Sequence, residues 1–432
     1  MEMMLLSILG PVLHCEWFIT SWEQAFLTTL VMLGMAMSSS FWGTMCDKYG
    51  RKAILLFGSI LAGYFGLLTA VSPMYIWICI NRFLVGLAIG ICPQSLTLYS
   101  EFLPTKSRAL CMVCVEVFFA FGTAFEVVIA KLIMPTLGWR YLLGATAIPI
   151  LLFPCLGYWL PESARYYLAC GQRDKAQAVL NNISKGNRAQ LPPGELGSLD
   201  HTVEKRGEIK DLFAKKYRAV SIILFASWFS VGFCYFGIAL LVPTLFTNPD
   251  GCHGSDVSTS DKDECHVECV AFTQEDYDEL VITGFADFPG LLFIVAVMTC
   301  LGRRHSVALC SLLFTIFLLL SNLCVNRITL TFFLFTARAV ITGVYQGIYV
   351  YTSEVYPTHI RSLGMGFGSG LSRIGALLTP YLAQVGTEKN AYIGINGYVL
   401  FGIITICLVL ALPIETKGRS MQDTEEYTEL DN

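Results

Sequence analysis

The apolar residues of this chain come in blocks of bilayer length, and that blocking limits the possible folds more than any other feature. Apolar stretches occupy residues 25–45, 53–71, 74–99, 109–130, 141–160, 219–245, 280–301, 305–325, 329–351, 363–385 and 392–413. About 20 mostly apolar residues cross roughly 30 Å of hydrocarbon as a helix. Blocks this long must be helical, because in lipid each span has to satisfy its own peptide groups. The chain is 54% hydrophobic and only 14% charged, where a soluble chain carries about 25% charged residues. A soluble enzyme, a nucleic-acid binder and a disulfide-stapled secreted domain are excluded. The net charge of −4 decides nothing, because here the distribution of charge carries the information.

Eleven complete spans follow. The preceding stretch at 3–13, MMLLSILGPVL, reaches only about 17 Å at helical rise. It would leave the Met1 ammonium and Glu2 near the membrane centre, where a charge costs about 2.5–3.5 kcal/mol or more. The first helix is therefore expected to be truncated: either it does not insert, or the chain starts late relative to a longer form. A signal peptide fits poorly, with no basic leader and no small-residue cleavage site.

The positive-inside rule sets the expected orientation. Of 29 Lys and Arg, 21 lie in the segments 46–52, 100–108, 161–218, 302–305, 354–362 and 414–432; Lys131, Arg140, Lys262, Arg327 and Lys389 lie on the other side. The 161–218 loop and the C-terminus are expected to be cytoplasmic, and the acidic loop 246–279 extracytoplasmic.

The chain also repeats itself. Gly50-Arg51-Lys52 returns as Gly302-Arg303-Arg304 at an offset of 252, and E-x-x-P-x-x-x-R occurs at Glu101, Pro104, Arg108 and again at Glu354, Pro357, Arg361. Pro161-Glu162 returns as Pro413 and Glu415, Gly122 as Gly375, and Arg82, Gly86, Gly90 as Arg338, Gly343, Gly347. Two halves of six spans in one orientation are parallel repeats about an axis along the membrane normal. Transporters with a midplane site between rocking halves are built this way.

These residues resemble a known family. GTMCDKYGRK (Gly43 to Lys52) is similar to the signature loop of the major facilitator superfamily, and PESARYYLACGQRDKA from Pro161 and PIETKGRS from Pro413 resemble elements of its sugar and organic-ion branch. The segment SEVYPTHIRSLGMGFGSGLSRIGALLTPYLA and the acidic run Gln274-Glu275-Asp276-Tyr277 narrow the resemblance to the synaptic vesicle two-related family, nearest its two-related-like transporters. The resemblance covers essentially all 432 residues. It departs at Thr299, where an Asp would parallel Asp47, and in the short first helix. It implies an all-α membrane protein of the major facilitator fold, with two six-helix bundles related by a pseudo-twofold along the membrane normal. The bundles are expected over 1–160 and 219–413, with a linker at 161–218, an outer loop at 246–279 and a tail at 414–432.

Two groups of residues are candidates for function. At the cytoplasmic helix ends, Arg51, Arg108 and Arg361 are expected to pair with Glu101, Glu162, Glu354 and Glu415, and Asp47 to sit against a helix N-terminus. Pairs made in one state of a cycle and opened in the other act as a latch. The resemblance implies the same, that the Asp47 loop holds the halves together when the site faces outward. Isolated surface pairs would be worth only about 0–1 kcal/mol, but here the spacing repeats in both halves. Within the membrane, Glu116, Glu126, Asp287, Arg82, Arg338 and Arg373 require a cavity or a partner. Arg82 and Arg338 are repeat-equivalent and are expected to pin helix packing. Glu116 and Glu126, with Glu2 if the first helix inserts, are candidates for proton coupling or a cationic substrate. The resemblance implies that spans one, four, seven and ten line the cavity, which singles out Tyr345 and Gln346 as pocket residues. GMGFGSG at 364–370 lacks the GK[ST] of a nucleotide loop, and Gly86/Gly90 and Gly343/Gly347 are small-residue pairs for close helix approach.

Most of the 16 Cys fall within spans. Cys15, Cys252, Cys265 and Cys269 are extracytoplasmic candidates for disulfides, with three possible connectivities, and their spacing with His253 and His266 fits no standard zinc site. No metal or cofactor is expected. The sequon at Asn182 lies in the cytoplasmic loop. The expected function is a secondary active transporter, not an enzyme, moving a small organic solute (an organic ion or sugar-like molecule) by alternating access with ion coupling, the ion a proton candidate. The alternative is a transport-inactive short form or a receptor-like protein. Expected partners are the solute, the coupling ion and the bilayer, without nucleic acid, in a monomer of vesicle or plasma membrane.

Overall fold

The computed structural model describes residues 2–103, 108–189, 191, 196, 209–246 and 272–417. Among these the chain is helical and its other segments are turns and connections. In order the helices are α1 (Glu2–Trp17), α2 (Ser21–Tyr49), α3 (Arg51–Ala70), α4 (Tyr75–Ile89), α5 (Cys92–Phe102), α6 (Arg108–Leu137), α7 (Trp139–Gly157), α8 (Ala164–Ala169) and α9 (Arg173–Asn187). Then follow α10 (Ile209–Leu212), α11 (Arg218–Phe246), α12 (Gln274–Gly284), α13 (Asp287–Leu301), α14 (Arg303–Leu320), α15 (Arg327–Val355) and α16 (Thr358–Pro380). A π-turn at Tyr381–Gly386, the short α17 (Thr387–Lys389) and α18 (Ala391–Ala411) complete the described chain.

Each of the eleven apolar blocks falls on one of these helices or on a consecutive pair. Among the described residues, nine helices meet the length and apolarity of a membrane span, with α4–α5 and α12–α13 each counted as one. The bent α2 is a tenth. Helix α16 is the eleventh block, diluted by the glycines and serines of its first half. Large apolar side chains such as Phe118, Leu132, Leu292 and Ile328 stay exposed, as hydrocarbon solvent permits.

Three boundaries differ from the sequence expectation. Helix α1 runs on through His14, Cys15 and Glu16 to Trp17, so it is longer than its apolar run, and Leu5, Leu6, Ile8, Leu9 and Leu13 are at most 1% exposed. Helix α12 begins at Gln274, within the segment read as outer loop. Thr273 and Asp276 form a capping box there, which satisfies the first free N–H groups of the helix. The linker carries α8 and α9, and Asn182 lies in α9.

Two compact units are present. One gathers residues 30–118 and 137–204. In it α3 packs on α7, α4 and α5, around a core of Trp42, Cys46, Ile54, Leu55, Ile91 and Leu98. The backbones of α2 and α4 touch where Gly86 faces the carbonyl of Val31. The other unit gathers residues 1–29, 119–136 and 205–432. In it α14 packs on α15 and α18, α13 on α15, and α11 on α16, α18, α15 and α1. Helices α14, α15 and α18 repeat the arrangement of α3, α4 and α7, so the internal duplication is visible in packing as well as in sequence.

Arg338 of α15 and Asp287 of α13 are both buried, with their charged groups 3.5 Å apart, and Thr342 donates to the same carboxylate at 2.8 Å. This pair pins α13 to α15 from inside the second repeat. Removing one partner strands the other charge away from water. Arg338→Leu is expected to cost about 3–5 kcal/mol, read as a lower thermal-unfolding midpoint in detergent. Adding Asp287→Asn to that variant is expected to recover part of the loss.

Candidate functional site

The repeated G-R-K/R motif has a physical explanation at the starts of α3 and α14. Gly50 (φ 99°) and Gly302 (φ 85°) occupy the left-handed region, which side chains with a Cβ rarely enter. Each also leaves room for a carboxylate. A Cβ on Gly50 would lie 2.5 Å from Glu162 Oε2, and one on Gly302 would lie 2.9 Å from Glu415 Oε1. Glu162 accepts from the backbone N–H groups of Arg51 (3.1 Å), Lys52 (3.0 Å) and Ser163 (3.0 Å). Glu415 accepts from those of Arg303 (2.8 Å), Arg304 (3.1 Å), Thr416 (3.1 Å) and Lys417 (3.2 Å). Each carboxylate thus caps a helix N-terminus from more than a hundred residues away, where the free N–H groups and helix dipole favour negative charge.

A charge pair stands beside each cap. Arg51 pairs with Glu101 and lies 3.9 Å from Asp47, and Ser163 donates to Glu101. Arg303 donates to Glu354 from Nε at 3.1 Å and from its terminal nitrogen at 2.8 Å. Arg51–Glu101–Glu162 and Arg303–Glu354–Glu415 are therefore one device made twice, each closed within its own unit. The expected pairing of Arg361 with a glutamate is corrected. Its Nε donates to the Tyr356 carbonyl at 3.2 Å, and Arg303 takes Glu354 instead. The offset from Arg51 to Arg303 was the signal for that role. The side chain of Arg108 lies outside the described residues.

At membrane depth the structure brings Tyr345 into an aromatic group shared by α11 and α15. Tyr345 stacks on Tyr235 with ring centroids 4.7 Å apart and meets Trp228 edge-on at 5.7 Å. Trp228 is fixed by a 2.9 Å hydrogen bond to Thr352. Tyr345 and Gln346 are half-buried. Glu126 is fully buried on α6 and Arg82 is 1% exposed on α4, while Glu116 is half-buried. Glu2 opens α1, and its side chain lies outside the described residues. Cys15 is disulfide-bonded, and so is Cys324, which the sequence reading placed inside a span; α14 ends at Leu320 and leaves Cys324 in the connection to α15. Cys252, Cys265 and Cys269 lie outside the described residues.

The family model described as "Sugar (and other) transporter" matches residues 11–251 and 281–427. The chain belongs to that family. Curated relatives include the synaptic vesicle 2-related protein of Xenopus laevis, 47% identical over 98% of this chain and 77% of that one. Others are svop-1 of Caenorhabditis elegans, at 42% over 98% and 81%, and SVOPL of Mus musculus, at 34% over 98% and 87%. Among solved structures, the inward-open xylose transporter XylE of E. coli superposes with a TM-score of 0.69 at 15% identity, covering 97% of this chain and 95% of that one. The fold is that of the major facilitator superfamily, and the protein is a multi-pass membrane transporter.

This member of the sugar (and other) transporter family carries a helix-capping glutamate in both repeats and an acidic partner only in the first. Thr299 stands where Asp47 stands in the first, and its hydroxyl donates to the Ala296 carbonyl. Partial burial pushes the Glu415 carboxyl up, but the N–H donors of Arg303, Lys417, Arg304 and Thr416 outweigh it and hold the group below its ordinary value. The cap therefore contributes stability above the usual carboxylate range and loses it as pH falls through the lowered value. Glu415→Gln is expected to lower stability at pH 7 by roughly 1–2 kcal/mol, measured by thermal unfolding. The difference from the unaltered protein should vanish in strongly acidic buffer.

Proposed function

We propose that this protein is a secondary active transporter that moves a small organic solute, an organic ion or a sugar-like molecule, by alternating access coupled to an ion gradient. The observation that carries this proposal is the half-buried Tyr345–Gln346 pair at membrane depth, backed by Tyr235 and Trp228. An aromatic face next to an amide suits a solute with both apolar and hydrogen-bonding surface, and also an organic cation over the rings. Family membership supports the transport class, and the names of its relatives support a vesicle membrane. The charge distribution supports a cytoplasmic C-terminus.

Within this proposal the two capped helix starts face the cytoplasm and act as the latch. Arg51, Glu101 and Glu162 in one repeat, with Arg303, Glu354 and Glu415 in the other, stay closed within their own repeats and present charged helix ends that approach in one state of the cycle and separate in the other. Asp47, 72% exposed at its side chain, is the group free to reach across. Buried Glu126 is the candidate coupling residue.

Two measurements test these assignments in proteoliposomes. Across a panel of organic ions and sugars, at least one solute should accumulate under an imposed gradient, and Tyr345→Ala or Gln346→Ala should lower its kcat/KM at least tenfold. A panel that shows no flux overturns the proposal. Asp47→Asn should slow uptake severalfold with membrane insertion and thermal midpoint intact, and unchanged uptake would remove Asp47 from the latch.

A further inference from the structure

The opposite ends of the helices carry a second charged device. The unit that holds the C-terminal helices also contains the first turns of α2 and the segment 119–136 of α6, so these parts pack together within one compact unit. Helix α12 is central to it. Arg327, the first residue of α15, grips two carboxylates of α12, Asp276 and Glu279, the latter at 2.7 Å. Tyr277 and Leu280 of the same helix are buried. Asp278 lies off that face and pairs with Lys131 of α6. Further along, Gly284 faces the backbone of Ala124 at 3.7 Å and the side chain of Val127 at 3.8 Å, measured from where its Cβ would be. One short acidic helix thus holds its own repeat with Asp276 and Glu279 and the first repeat with Asp278.

A second seam runs beside it. Trp22 and Tyr381 have ring centroids 5.7 Å apart, and Thr29 donates to the Leu377 carbonyl at 3.2 Å. Gln24 Oε1 and Gln384 Nε2 converge on Gly10, at 3.2 and 3.7 Å from where its Cβ would lie. Gln384 is 5% exposed, and its Oε1 has no hydrogen-bond partner among the described residues. It sits in the π-turn that follows Pro380, a backbone form frequent at functional sites.

We infer that Lys131 and Asp278 form a second latch, at the helix ends opposite Gly50 and Gly302. The pair is closed in this structure and opens when the first-repeat segments separate from α12 and the π-turn, while Asp276 and Glu279 stay with Arg327. The inference rests on the alternating-access proposal above. The pair is partly exposed, with side chains 29% and 51% accessible, so its loss is expected to shift the ratio of the two states by up to about fivefold. A pair of that strength biases a cycle without freezing it. A fully buried pair would be too costly to break on each turn.

Hydrogen exchange on the full chain in nanodiscs tests the latch independently of flux. Lys131→Glu is expected to raise deuterium uptake in 124–137 and 274–284. Uptake should fall reciprocally at the other ends, in 41–52 and 298–305, at an unchanged thermal midpoint. The charge swap Lys131→Asp with Asp278→Lys should restore both. Asp276→Asn, which disturbs the capping box and the Arg327 contact inside the second repeat, should raise uptake locally with no reciprocal fall. If Lys131→Glu behaves like Asp276→Asn, or if the swap restores nothing, the latch is overturned. A failed solute panel with the reciprocal change intact would instead overturn the transport proposal and leave the two-state device standing.

Discussion

A helix crossing hydrocarbon satisfies its own peptide groups along its length but not at its ends, where the first N–H groups have no intrahelical acceptor. In this protein two of those ends are completed by carboxylates delivered from far along the chain. Glu162 and Glu415 enter space left by Gly50 and Gly302 and gather backbone N–H groups around a single charge. The neighbouring arginines are held by Glu101 and Glu354, so the motif is a self-contained clasp. Its first task is to fix the third helix of each repeat against the exit of the sixth. The rest of each bundle is arranged about that join, with α3 lying on α7 and α14 on α18.

The same chemistry does different work at the two ends of the helices. At the Gly50 and Gly302 ends the described ion pairs close within a repeat. Around α12, strong and weak contacts are divided between neighbours. Arg327 holds two carboxylates of its own repeat, whereas Lys131 reaches a more exposed one. The carboxylates differ widely in exposure, Asp276 and Glu279 at 3% and 14% against 51% for Asp278, and the exposed pair is the cheaper one to break. The buried Arg338–Asp287 pair belongs to the permanent class, since an uncompensated charge in lipid would be very costly.

Much of this was legible in the sequence because it depends on regular spacing. The apolar blocks located the spanning helices, and the offsets of 252 and 253 picked out the residues of both clasps, although Glu162 and Glu415 read there as partners of arginine side chains rather than as caps on backbone N–H groups. Partners set by three-dimensional direction were not legible. Arg361 lies at the same motif position as Arg108, yet its guanidinium turns to the Tyr356 carbonyl, and Glu354 is held by Arg303. Polarity concealed the true ends of two helices. Helix α1 continues through His14 to Glu16, and α12 starts in an acidic run that is stable because Arg327, 48 residues beyond Glu279, neutralises it. Cys324 looked like a packing residue because the apolar run continues past the last turn of α14. Tyr345 and Gln346 were proposed through the family resemblance, and the stacking of Tyr345 on Tyr235 could not be read from one dimension.

The distance in sequence between each glycine and its carboxylate sets an order on biogenesis. While the ribosome has made only the first three helices of a repeat, the start of the third is left with amides that only water can bind. Closure waits until the polypeptide has emerged as far as residue 162, and in the second repeat as far as residue 415. Each repeat is therefore completed at its last step, and a nascent chain stalled before that point would present an unfinished helix end to chaperones and quality-control proteases.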